Sequence, residues 1–237
     1  MYPNRERLIL LDADGTTVDA FSVIQKTFSA LGMEIGDLER FQKRRNLLKY
    51  LGGLKEFPQN LKRQLGRRKQ LIETLTECYR EQGQLYPGVA DLLKTLLDTP
   101  GLRVGLITRN ITVDPETTLK RLFQRHDIDF KAFHFFAAIA LRDEKSHHFK
   151  AAREQFAINP ARSYACGDEH KDYAAAISAG IQPFVVSYGF EDHRRLTKKF
   201  EIPEEIISPT PEEFCARLRH ALDLAPATNA CKEASPV

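Results

Sequence analysis

Short, uninterrupted apolar runs alternate along this chain with longer stretches in which apolar residues return every three or four positions. Leu8-Ile9-Leu10-Leu11 is the first such run, and its length predicts a strand buried on both faces. The next strand comes only at 102–107. Between them helical periodicity covers 20–31, 38–51, 59–82 and 89–98, the last with Val89, Leu92, Leu93, Leu96 and Leu97 on one face. Further on, strands at 133–139, 163–166 and 183–187 alternate with helices at 116–126, 146–156 and 171–179. A last helix near 211–224 carries Phe214, Leu218 and Leu222 at helical spacing. This alternation predicts an α/β fold, a mostly parallel sheet with right-handed crossovers and helices on both faces. The helical excursion between the first two strands reads as an inserted domain, 20–86, closed by the Tyr86-Pro87-Gly88 turn. Residues 1–19 and 87–225 then form the core, and the apolar-poor tail 226–237 is expected to be disordered.

With 237 residues, 42% of them hydrophobic, the chain can bury a substantial core, which excludes general disorder. No segment reaches the apolar length of a membrane span. The amino terminus runs into the first strand without a secretory apolar region, so a cytoplasmic location is expected. Cys78, Cys166, Cys215 and Cys231 lie far apart without a Cys-x-x-Cys, as expected of reduced structural thiols. The net charge of +3 is uneven: residues 20–86 hold 13 Lys and Arg against 7 Asp and Glu, a local +6 that leaves −3 for the rest. Such a segment draws anions, although Lys43-Arg44-Arg45 and Arg67-Arg68-Lys69 also suit plain solvated helix faces. No stacking aromatic pattern accompanies them, so a nucleic-acid partner is not expected.

Candidate chemistry begins at the exit of the first strand, in Asp12-Ala13-Asp14-Gly15-Thr16. Alternation in an extended segment sends Asp12 and Asp14 to the same side before Gly15 turns the chain. Two acids held this close repel unless a cation or a proton lies between them. That suits a divalent metal with one nucleophilic and one proton-carrying carboxylate. An ordinary polar turn would look the same. A second acidic pair, Asp168 and Asp172, follows the apolar Tyr164-Ala165-Cys166, and Thr108 follows Val104-Gly105-Leu106-Ile107. Carboxyl ends of parallel strands gather in one crevice, so the three signals can converge.

These residues, in this order, resemble the haloacid dehalogenase superfamily: strand then Asp12-Ala13-Asp14-Gly15-Thr16, Leu106-Ile107-Thr108, Lys145 ahead of a helix, and Gly167-Asp168-x-x-x-Asp172. The insertion rejoining at Tyr86-Pro87-Gly88-Val89 resembles the helical cap of its phosphoglycolate-phosphatase-like branch. The resemblance implies a Rossmann-like core with an inserted α-helical cap and a Mg²⁺-dependent phosphatase acting on a small phosphorylated metabolite. Asp12 would be the nucleophile that becomes an aspartyl-phosphate. Mg²⁺ would be held by Asp12, the backbone carbonyl of Asp14 and Asp168, and Asp172 would touch it through water or orient Lys145. Asp14 would protonate the leaving oxygen and then deprotonate water. Thr108, with the amides of Arg109 and Asn110, would hold the transferring oxygens, and Lys145 would neutralise charge developing on them.

Each role has a plainer alternative. Thr108 could cap a helix, Lys145 could be a surface lysine with Lys150 as its rival, and Asp172 could serve a helix start. His170 is the one histidine expected near the site, and it too could be a loop residue. A monomer or homodimer is expected, with no membrane partner.

The cap divides the reading further. Thr16-Thr17-Val18-Asp19 with Leu51-Gly52-Gly53-Leu54-Lys55 resembles the phosphonoacetaldehyde hydrolase branch, in which a cap lysine, here Lys55, forms a Schiff base. That branch carries a small residue where this chain has Asp14. A phosphatase is therefore the favoured reading, with Lys55 as a phosphate anchor or a solvated residue. A third reading keeps the fold as a non-catalytic binding module that uses its basic cap.

Overall fold

The computed structural model describes residues 5–32 and 61–224, the side chains of 61–67 excepted. The helix expected at 38–51, Lys43-Arg44-Arg45, the Gly52-Gly53 bend, Lys55, Cys231 and the tail 226–237 lie outside the described residues.

Among the described residues six strands form one sheet: β1 (Arg7–Leu11), β2 (Leu102–Thr108), β3 (Phe135–Ala138), β4 (Ser163–Gly167), β5 (Gln182–Val186) and β6 (Ile207–Ser208). Their order is β3-β2-β1-β4-β5-β6, and every neighbouring pair is parallel. The helices are α1 (Ala20–Ala30), α2 (Leu61–Gln82), α3 (Val89–Asp98), α4 (Pro115–Gln124), α5 (Lys145–Gln155), α6 (His170–Ala179) and α7 (Pro211–Ala221). The α/β fold with a parallel sheet is thus as the periodicity predicts.

The differences are local. Strand β3 is shorter than 133–139, because Asp129 caps a turn of 3₁₀-helix at Phe130–Ala132 that keeps Phe133 out of the ladder. Helix α7 stops at Ala221 rather than 224. The two-residue β6 and a π-helical turn at Arg195–Lys199 are too short or irregular to carry a period.

Local chemistry explains the helix starts. Asp19 accepts from the Ser22 amide at 3.1 Å, Asp114 from Thr117 at 3.1 Å, and Thr210 from Glu213 at 3.2 Å. Pro115 and Pro211 follow the last two caps, at a position where no amide hydrogen is needed. At the other end of α6, Gly180 takes the left-handed conformation that stops a helix.

Strand alternation splits the core. Ile9 and Leu11 face one layer, with Val104 and Leu106 of β2, Leu92 and Leu96 of α3, Leu119 and Phe123 of α4, and Phe214 and Leu218 of α7. Leu8 and Leu10 face the other, with Phe149 of α5 and Ala175, Ala176 and Ala179 of α6. Val23 and Ile24 of α1 and Leu75, Cys78 and Tyr79 of α2 belong to the first layer too, so both ends of the predicted insertion share in the core. Because β1 lies between β2 and β4, residues just beyond these three strands meet in one crevice at their carboxyl ends. Among the described residues no helix is long and apolar enough to cross a membrane.

Candidate active site

Asp12, immediately after β1, is buried, and its amide donates to the carbonyl of Cys166 on β4 at 2.9 Å. Lys145 Nζ lies 2.6 Å from Asp12 Oδ1 and 2.8 Å from Asp172 Oδ1, with the lysine side chain only 3% exposed. Lys145 is the first residue of α5, so the helix start delivers its stem to the crevice. Burial pushes the Asp12 carboxyl up, Lys145 pulls it down, Asp172 adds repulsion, and the outcome is a value of about 7. Burial alone would lower Lys145, but Asp12 and Asp172 outweigh it and hold the ammonium above its ordinary range.

Asp168, just past β4, is completely buried and is held by the Phe190 amide at 2.5 Å and more loosely by the Thr16 hydroxyl at 3.4 Å. Desolvation, then the charge of Asp12, raise its carboxyl well above the usual range. Asp172, on the first turn of α6, accepts the Glu169 amide at 3.2 Å through Oδ2, so it caps its own helix while its other oxygen faces Lys145. Two glycines make this crowding possible. Gly15 has φ +84°, and a Cβ there would run into the Asp168 carboxylate; a Cβ on Gly167 would run into the side chain of Asp172.

Asp12, Asp168 and Asp172 each offer a carboxylate oxygen, and the three atoms lie within 4.8 Å of one another. All three carboxylates are buried, Lys145 pairs with only two of them, all donors are hard oxygens, and Asp12 and Asp168 are both raised by burial and by neighbouring acids. That donor set fits a hard divalent cation such as Mg²⁺, and a cation there would relieve the repulsion. A divalent ion at about one hundred times its Kd should therefore stabilise the protein by about 2.7 kcal/mol, a Tm rise of roughly 5–10 °C for a chain of this length. Thermal unfolding with and without the ion checks this. Asp168→Asn should lose most of the rise, and an unchanged rise would remove Asp168 from the ligand set.

Asp14 is separate from this group. Its carboxylate accepts from the Tyr79 hydroxyl at 2.7 Å and from Asn110 Nδ2 at 3.1 and 3.2 Å, with Thr108 Oγ1 at 3.5 Å. Burial raises its carboxyl above the usual value, while Tyr79 and then Asn110 oppose the rise. Thr108 Oγ1 accepts the Asn110 amide at 3.1 Å, and Asp114, not Thr108, caps α4. Thr108 therefore shapes the loop after β2 rather than the helix start. The Arg109 guanidinium donates to the carbonyl of Asp143 at 3.1 Å and lies 3.9 Å from both Glu169 and Asp172.

Asp12, Asp14, Arg109, Lys145 and Asp168 line one pocket with Glu169, and its other wall is Ile24, Leu75, Tyr79, Ile111, Leu141 and Phe190. Lys150 is half-buried further along α5, and His147 is exposed. His170 lies next to the site but is engaged elsewhere: its Nδ1 is 2.9 Å from the buried Glu191, and its ring stacks on Phe200 at 3.7 Å. Three contributors escape sequence reasoning, namely Tyr79, the Asn110 side chain and the Phe190 amide. Tyr79 looks like one more apolar position of an amphipathic helix, and a backbone amide carries no residue signature.

Residues 6–180 match the haloacid dehalogenase-like hydrolase family. The chain belongs to that family. The curated proteins contain no significant match. Among solved structures, a haloacid dehalogenase-like hydrolase from Streptococcus pneumoniae superposes with TM-score 0.64 at 20% identity, covering 90% of this chain and 98% of its own. A predicted phosphoglycolate phosphatase from Haemophilus somnus gives TM-score 0.63 at 17% identity, covering 92% and 99%. CbbY from Rhodobacter sphaeroides, solved in complex with phosphate, gives 0.57 at 22% identity, covering 79% and 89%. At these identities the likeness concerns the fold.

Proposed function

We propose that this hydrolase is a Mg²⁺-dependent phosphatase of a small phosphorylated metabolite, working through a covalent phosphoryl group on Asp12. The observation that carries the reading is the division of labour between two neighbouring acids. Asp12 is gripped by Lys145, while Asp14 faces the same pocket in a separate cradle of Tyr79 and Asn110. A phosphate monoester needs both a nucleophile and a proton for its leaving oxygen. The phosphatase relatives, and the phosphate bound by CbbY, agree with this.

In this reading an Asp12 oxygen attacks phosphorus, the ester oxygen leaves with a proton from Asp14, and Asp14 then takes a proton from the water that cleaves the aspartyl-phosphate. Lys145 stays on Asp12 and offsets charge on the transferring oxygens, which Thr108 and the Arg109 amide also serve, while the Asn110 amide is engaged by Thr108 Oγ1. Asp12, Asp168 and the Asp14 carbonyl would hold Mg²⁺, with Asp172 beside it or turned to Lys145. The ion supplies positive charge that lets one anion approach another. Residues 20–86 act as the cap over a core of 1–19 and 87–225, in a cytoplasmic monomer or homodimer.

Turnover of p-nitrophenyl phosphate with and without Mg²⁺, followed by a panel of phosphorylated metabolites, tests the reading. Persistent inactivity on all of them would favour a binding module. Phosphonoacetaldehyde belongs in the same panel. An aldehyde bound as an imine to Lys55 would be trapped by borohydride, and we expect mass spectrometry to find no adduct there, because the Asp14 carboxyl belongs to ester chemistry.

A further inference from the structure

Helix α2 presents Thr76, Tyr79 and Arg80 on one face, at the spacing i, i+3, i+4, and Gly83 follows just past its last residue. That face is pinned to the core. The Val113 amide donates to Thr76 Oγ1 at 3.0 Å, Arg80 Nε donates to Thr118 Oγ1 at 3.1 Å, and Arg125 donates to the carbonyls of Arg80 and Gly83 at 3.2 and 3.1 Å. Tyr79 lies among these anchors, its ring buried with Leu75 and Val89, and its hydroxyl 2.7 Å from Asp14 Oδ1. Asn110, itself fixed by the Thr112 amide on its Oδ1 at 3.0 Å, holds both Asp14 oxygens.

We propose that Tyr79 is a positioning residue of this site: its hydroxyl, delivered by a helix clamped to the core, sets the orientation in which the Asp14 carboxyl meets the leaving oxygen. The inference rests on the reading of Asp14 as the proton carrier. A carboxyl side chain on a loop has two free torsions, and proton transfer needs its oxygen within hydrogen-bond reach of the ester oxygen, so fixing those torsions contributes directly to rate. A phenol carries its proton at neutral pH, so the Tyr79 hydroxyl serves Asp14 as a hydrogen-bond donor. The anchors at Thr76 and Arg80 belong to the same device, since they hold the helix register that brings the hydroxyl to Asp14.

Tyr79→Phe keeps the buried ring and removes only the hydroxyl. The discriminating measurement is kcat/KM, in the Mg²⁺-loaded full chain, for two esters: p-nitrophenyl phosphate, whose stable phenolate leaves with little help, and a simple alkyl phosphate, whose alkoxide needs the proton. The alkyl-to-aryl ratio should fall about tenfold, the equivalent of one hydrogen bond to a charged group. In an Asp14→Asn background the same substitution should leave the ratio where it was, because a residue that acts through Asp14 has nothing further to position. Equal losses on both esters, or an additive loss in the double variant, would assign Tyr79 to packing or direct substrate binding and overturn the proposal. A wild-type protein inactive on both esters would instead sink the phosphatase reading, and Tyr79's role with it. Thermal unfolding of Tyr79→Phe near the wild-type Tm shows that the variant is folded.

Discussion

Asp12→Asn is expected to reduce phosphatase turnover by about 10⁴-fold or more, because the amide keeps the shape of the side chain and loses the charge that attacks phosphorus. The fold should survive. Asp12 is buried at an energetic disadvantage as a carboxylate, and Lys145 keeps Asp172 at 2.8 Å as a partner when Asp12 becomes neutral. A thermal scan and a turnover assay on the same preparation separate loss of chemistry from loss of structure. Acid quench of the wild type during turnover should retain phosphoryl label on the protein, and the variant should retain none. Turnover within tenfold of wild type would remove Asp12 from the nucleophile's role.

The second large effect belongs to Asp14. Asp14→Ala should slow hydrolysis of alkyl phosphates by roughly a hundredfold or more, the ordinary worth of a positioned general acid. The loss for p-nitrophenyl phosphate should be smaller, at least in kcat/KM, since its leaving group departs without a proton. Alanine also strands the buried Tyr79 hydroxyl and Asn110 amide, each of which donates to Asp14. An unsatisfied buried donor costs about 1–3 kcal/mol, so Asp14→Ala should unfold at a lower temperature than Asp14→Asn, which retains an acceptor oxygen. If both variants hydrolyse alkyl esters like the wild type, the two-acid reading fails, and carbon–phosphorus chemistry through a lysine becomes the better account.

These effects test residues that differ in how far the sequence alone could reach them. Asp12, Asp14 and Asp168 stand directly after apolar runs, and the rule that parallel strands end in a shared crevice was enough to bring them together in anticipation. Tyr79 had no such mark. Its hydroxyl acts across 65 residues of sequence, and only the packing of α2 on α4 and the loop after β2 decides that it reaches Asp14 rather than solvent. His170 shows another case: it lies beside the site as its position in the sequence suggested, but only the structure shows that its ring is engaged by the buried Glu191 and by Phe200.

By itself the sequence determined the parallel α/β architecture, the approximate limits of its described helices and the set of acids at the strand ends. Those features depend on the period of apolar residues, on capping side chains and on glycines, which are properties of neighbours along the chain. Only the tertiary structure decided which lysine of the 145–150 segment meets Asp12, that Asp172 divides its oxygens between a helix cap and that lysine, and that Asp14 and Asp12 occupy different cradles. The physical reason is reach. A hydrogen bond is made or lost within a few tenths of an ångström, and the position of a side-chain tip to that tolerance is fixed by the packing of segments distant in sequence.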